Sequence, residues 1–96
     1  MNLTANYIIL PNAYKEIFSE LLQNENIDCT FLSSTGLYLK EGQTTCLIIS
    51  SDDNISEILE GLIRKAEKIY KQKNKYFDDY PGVLYFKTPV SDFKII

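Results

Sequence analysis

The chain contains no histidine, so it lacks the commonest general base, the Ser-His and Cys-His nucleophile pairs and the usual zinc ligand. Its two cysteines, Cys29 and Cys46, sit inside apolar, strand-like runs. They read as reduced small hydrophobes of a cytosolic protein; a disulfide is the lesser alternative, since the two runs fit neighbouring strands. Asp52-Asp53 and Asp78-Asp79 are paired carboxylates in polar, loop-like stretches. Turn and cap chemistry explains them better than metal binding or acid–base catalysis, which need carboxylates converging from separate elements. Neither a nucleophile elbow nor a phosphate loop occurs. The sequence is therefore expected to bind something, with no catalysis, no metal and no resident cofactor.

Charge narrows the partner classes. The formal net charge is −3, which argues against a general DNA or RNA binder. Six of the ten basic residues nevertheless fall between Arg64 and Lys75: Arg64, Lys65, Lys68, Lys71, Lys73 and Lys75. They fit a solvated face that complements a helix dipole, or else a contact for phosphate groups or an acidic protein surface. The chain starts MNLTANY, with neither a basic n-region nor an apolar h-region, and its apolar runs are far shorter than a membrane span. A soluble cytoplasmic protein without membrane insertion is expected.

The 96 residues correspond to one domain spanning 1–96. Residues 7–10 (Tyr-Ile-Ile-Leu) read as a buried strand ending at Pro11. Asn12 is a candidate N-cap for an amphipathic helix marked by Tyr14, Ile17, Phe18, Leu21 and Leu22. The polar stretch from Gln23 to Asn26 ends it. Strands follow over 27–34 and 44–50, joined by a segment in which Gly36 and Gly42 mark turns. Asn54-Ile55-Ser56-Glu57 resembles a capping box and opens a second helix with an Ile55, Ile58, Leu59, Leu62, Ile63, Ala66 stripe. Gly61 weakens that helix and reads as a point of close packing. Residues 71–82 read as a loop, 83–86 as the last strand, and Pro89 as its end.

The order β-α-β-β-α-β is the ferredoxin-like arrangement: an α+β fold with a four-stranded antiparallel sheet and both helices on one face. Tyr7, Ile9, Leu47, Ile49, Leu84 and Phe86 leave too little polar surface for the other face to stand bare, so another subunit is expected there.

Residues 30–45, Thr-Phe-Leu-Ser-Ser-Thr-Gly-Leu-Tyr-Leu-Lys-Glu-Gly-Gln-Thr-Thr, resemble the signature of the PII-like cyclic-di-AMP receptors, Thr-x-Leu-Ala-Ser/Thr-Thr-Gly-Gly-Phe-Leu-x-x-Gly-Asn-Thr-Thr. The element order matches over nearly the whole chain, and Pro89-Val90-Ser91-Asp92-Phe93 resembles the family's Pro-Val-Asp-x-Phe tail. The resemblance implies a homotrimeric PII-like signalling protein that binds cyclic-di-AMP in clefts between subunits and relays occupancy to a partner protein. It implies that Tyr38 and Leu39 hold the purine, that Asn26, Thr30 and Gln43 make polar contacts, and that Phe86 lines the cleft.

The residue types agree with such a role. A flat base favours an aromatic face, worth roughly 1–3 kcal/mol per stacked base. Amides such as Asn26 and Gln43 offer donors and acceptors to a base edge. Gly36 and Gly42 let backbone N–H groups approach a phosphate. Taken without the resemblance, Tyr38 and Leu39 also fit hairpin packing on a neighbouring subunit, and Asn26 fits a helix-terminating asparagine.

The sequence departs from the family pattern at Asp28, in place of an arginine near the ligand; at Leu37 and Ile49, in place of glycines; and at Ile95, in place of a tail glutamine. A carboxylate at 28 repels a dianionic ligand. These departures point to the alternative of a diverged paralogue that acts as a trimeric scaffold or takes another nucleotide or metabolite.

Overall fold

The computed structural model describes residues 3–32, 42–73 and 82–90. Strand β1 (Leu3–Pro11) leads through a single 3-10 turn (Asn12–Tyr14) into helix α1 (Lys15–Asn24). Strands β2 (Thr30–Leu32) and β3 (Gln43–Ser50) follow, then helix α2 (Ile55–Lys73) and strand β4 (Leu84–Val90). The strands form one antiparallel sheet in the order β2-β3-β1-β4. This is the expected ferredoxin-like α+β fold.

Strand alternation decides what each face carries. Asn6, Ile8 and Leu10 of β1 pair with Ile48, Cys46 and Thr44 of β3, and all six are buried. Against them pack Tyr14, Phe18, Leu21 and Leu22 from the first helical segment and Ile55, Leu59, Leu62, Ile63 and Ala66 from α2. Tyr14 also meets Tyr70 with ring centroids 4.6 Å apart, joining the start of one helix to the end of the other.

One amide sits in this core. Asn6 is fully buried; its Nδ2 donates to the Ile48 carbonyl (3.1 Å), and its Oδ1 accepts from the Tyr85 hydroxyl (2.6 Å). That hydroxyl also lies 3.2 Å from Ser56 Oγ, which accepts from Lys87 Nζ at 2.9 Å. Three strands and the first turn of α2 are thereby tied at one point. A buried amide left without partners is destabilising by about 1–3 kcal/mol, so the network holds the strands in one register.

Several element boundaries differ from the sequence reading, each for a local reason. Asn12 does not cap α1. Its backbone N–H donates to the Gly42 carbonyl (2.9 Å) and its side-chain oxygen accepts from the Thr44 hydroxyl, tying the turn to the start of β3. Pro89 lies inside β4, opposite Thr4; β4 is an edge strand, where a missing N–H is tolerated. Helix α2 runs on through Lys73, so the polar run from Lys71 begins as helix.

Gly61 is not a close-packing glycine. It is exposed, and a methyl group added there would meet nothing within 4 Å beyond the helix's own backbone. Gly61→Ala should therefore raise stability by about 1 kcal/mol, the intrinsic difference between the two residues in a helix interior. Urea unfolding checks this; a loss of stability would contradict it.

Candidate functional site

Helix α1 ends in a Schellman motif. Asn26 takes a left-handed conformation (φ 56°), its N–H donates to the Gln23 carbonyl (3.0 Å), and the Ile27 N–H donates to the Leu22 carbonyl (2.9 Å). Ile27 packs on the core behind this turn. The geometry turns the chain sharply and delivers Asp28, Cys29 and Thr30 to the outer side of β3.

Two adjoining hollows open there. One, of about 230 Å³, lies among Asp28, Cys29, Thr30, Leu47 and Ile49. The other, of about 340 Å³, is bordered by Glu25, Asn26, Asp28, Ile49, Asp52 and Ile58, among others. Asp28 and Ile49 belong to both. Thr30 pairs with Leu47 across the β2–β3 ladder, so continuing that register sets Asp28 opposite Ile49. The Ile49 side chain, 51% exposed, forms an apolar wall beside the carboxylate.

The expected site residues are only partly gathered in one chain. Asn26 and Thr30 border the adjoining hollows. Gln43 begins β3 opposite Pro11, about 13 Å along the strand from the Leu47–Thr30 pair at ordinary strand rise. Phe86 lies on β4, with β3 and β1 between it and β2. Its ring stacks on Tyr7, centroids 5.0 Å apart and planes 15° from parallel. Gly36, Tyr38 and Leu39 lie outside the described residues. Sequence reasoning flagged Asp28 and Ile49 as departures but did not show that they share one wall with Leu47, Asp52 and Ile58. That depends on the Schellman turn, whose only sequence signal was the asparagine at 26.

The electrostatics of the hollows are one-sided. Among the described residues neither is lined by a lysine or arginine, whereas Glu25, Asp28 and Asp52 all border the larger one. Asp52 is partly committed: its Oδ1 accepts from the Asn54 N–H (2.8 Å), and its own N–H donates to Ser50 Oγ (3.0 Å). This is the turn chemistry expected of it. Arg64, Lys65, Lys68, Lys71 and Lys73 are exposed on the C-terminal half of α2, while the hollow touches its first turns. At 1.5 Å per residue, Lys68 stands about 15 Å along the axis from Ile58. The cluster therefore supplies no cation to this hollow within one chain; Lys75 is outside the described residues.

Cys29 and Cys46 are both free thiols. Burial, then the neighbouring Cys29, pushes the Cys46 thiol far above its ordinary range, which makes it an inert core residue. Among the described residues, no group of three or more cysteine, aspartate or glutamate side chains is placed to hold a metal. No helix there is long and apolar enough to cross a membrane.

On the face away from the helices, the strand positions are Leu3, Ala5, Tyr7, Ile9 and Pro11; Thr30 and Leu32; Gln43, Thr45, Leu47 and Ile49; and Leu84, Phe86, Thr88 and Val90. None is charged. Leu84 and Phe86 are 57% and 44% exposed. The Thr45 hydroxyl is buried with no hydrogen-bond partner among the described residues.

No protein-family model matches the sequence, and no curated protein matches it significantly. Solved structures do match. A Pediococcus pentosaceus ATCC 25745 protein of unknown function aligns over 100% of this chain and 99% of its own, with a TM-score of 0.69 and 22% identity. CPII, a nitrogen regulatory PII-like protein from Thiomonas intermedia K12 in a structure bound to ADP, AMP and bicarbonate, aligns over 100% and 98%, with a TM-score of 0.50 and 17% identity. At these identities the likeness is one of fold, and the fold it defines is the PII-like variant of the ferredoxin-like class.

The Schellman assignment separates backbone from side-chain roles at residue 26. Both Asn26→Gly and Asn26→Ala delete the amide, but only glycine enters the left-handed region freely. Asn26→Ala should be less stable than Asn26→Gly by about 1 kcal/mol, read from urea midpoints. Equal midpoints would contradict the turn described here.

Proposed function

We propose that this chain is a PII-like signal-transduction protein, cytoplasmic and not an enzyme. It works as a homotrimer, takes a small adenine nucleotide in clefts between subunits, and relays occupancy to a partner protein. Cyclic-di-AMP is the ligand that the sequence resemblance implies. The observation that carries the reading is the pairing of an uncharged sheet face with hollows at its β2 edge. An uncharged face of this kind favours burial against further copies of the chain, and hollows at its margin then become the walls of clefts.

The separation of the site residues supports the same arrangement. Phe86 and the Asn26–Thr30 segment occupy opposite edges of one sheet. They meet in a single cleft only when one subunit contributes its β4 edge and a neighbour its β2 edge. The likeness in fold to CPII of Thiomonas intermedia K12 supports the choice of an adenine nucleotide, since that PII-like protein was solved with ADP and AMP bound.

A second reading, a diverged paralogue with another nucleotide, is favoured by a specific observation: Asp28 and Ile49 form the shared wall of the hollows, and among the described residues no cation lines either. Isothermal titration with cyclic-di-AMP and ATP, with cyclic-di-GMP as control, tests the proposal. At least one adenine nucleotide should bind at micromolar or tighter affinity near one ligand per subunit, and cyclic-di-GMP should not. Flat heats with both adenine ligands would contradict it.

A further inference from the structure

We propose that Asp28 is a ribose-binding residue, and that it makes the site prefer adenine mononucleotides with a free 2′,3′-diol to 3′,5′-cyclic dinucleotides. The inference deepens the nucleotide-sensor reading above and rests on it.

Asp28 is the polar residue common to both hollows. Its carboxylate is exposed and sits on the outer side of β3, opposite Ile49 by extension of the Thr30–Leu47 pairing. An ionised carboxylate only accepts hydrogen bonds, through two oxygens. Its complement is therefore a group that presents two donors side by side. On a nucleotide, the vicinal ribose hydroxyls do this, and dinucleotide-binding folds use an acidic residue for the same purpose. Ile49 and Leu47 beside it supply an apolar surface for the carbon edge of the sugar.

Phosphate fits this position poorly. Among the described residues neither hollow is lined by a lysine or arginine, and Glu25 and Asp52 add to the negative border of the larger one. A 3′,5′-cyclic dinucleotide has each 3′ oxygen esterified, so each ribose has lost one of the two donors. The phosphodiester at that oxygen also carries its charge to the carboxylate. A mononucleotide instead keeps its phosphates at the 5′ end, away from the diol.

The test is isothermal titration of the full chain with ADP, 2′,3′-dideoxy-ADP and cyclic-di-AMP, repeated on Asp28→Ala. Wild type should bind ADP roughly tenfold or more tighter than either of the others, the loss expected when hydrogen bonds to a charged group are removed. In Asp28→Ala, ADP should weaken to the level of the dideoxy compound. Equal binding of ADP and dideoxy-ADP by wild type, or cyclic-di-AMP binding as tightly as ADP, overturns the inference and leaves the sensor reading standing. So does an Asp28→Ala protein that still discriminates. Absence of binding by all three nucleotides overturns both. Where Asp28→Ala fails to fold, Asp28→Asn takes its place and should likewise bind ADP no tighter than the dideoxy compound; continued discrimination overturns the inference.

Discussion

The helices of this protein cover one face of a sheet that is apolar on both, and the need to cover the second face governs the rest of the molecule. Along β1 the alternation sends Asn6, Ile8 and Leu10 inward and Tyr7 and Ile9 outward, yet both sets are largely apolar. Solvated antiparallel sheets ordinarily read apolar on one face and polar on the other. Here the outward set continues across the sheet through Leu47, Ile49, Leu84 and Phe86, with no charged position among the described residues. A contiguous apolar patch of that kind marks an interaction surface. The charges of the strands and their flanks are accordingly pushed to the margins: Lys87 to the helix side, where it meets Ser56, and Asp28 to the turn before β2.

Register is the second constraint, and it links the core to the site. A one-residue slip of a strand exchanges its two faces. Because the two faces here differ little in hydrophobicity, the apolar pattern alone discriminates weakly between registers. Asn6 supplies the missing discrimination, since a slip that turned it outward would break its bonds to the Ile48 carbonyl and the Tyr85 hydroxyl. With β1 and β3 held, Ile49 projects on the outer face. The Schellman turn at Asn26 then brings Asp28 beside it. The hollow is thus a consequence of one buried amide and one left-handed residue, each at a distance from the carboxylate that gives the hollow its character.

Much of the fold was legible in the sequence because its signals are local. The stripes Tyr14–Leu22 and Ile55–Ala66, the β-branched runs and the order of elements all predicted the observed topology. The failures came where a tertiary contact outweighed a local preference. Asn12 has the side chain of an N-cap but spends it on Thr44. Pro89 has no N–H for a ladder, yet an edge strand leaves alternate N–H groups unused. The site was less legible. Thr30 and Asn26 fall where expected, at neighbouring hollows, whereas Phe86 and Gln43 lie apart from them in one chain. Sequence order carries no information about Asp28 and Ile49 forming a common wall.

In the function proposed above, several copies assemble through the uncharged face and an adenine nucleotide sits at the margin of that assembly. Sedimentation velocity with a fluorescent adenine nucleotide examines both in one experiment. The account predicts a single species of three-chain mass with the nucleotide co-sedimenting, and loss of both the assembly and the bound nucleotide when Phe86 is replaced by lysine. A stable single-chain species that carries the nucleotide unaided would contradict it.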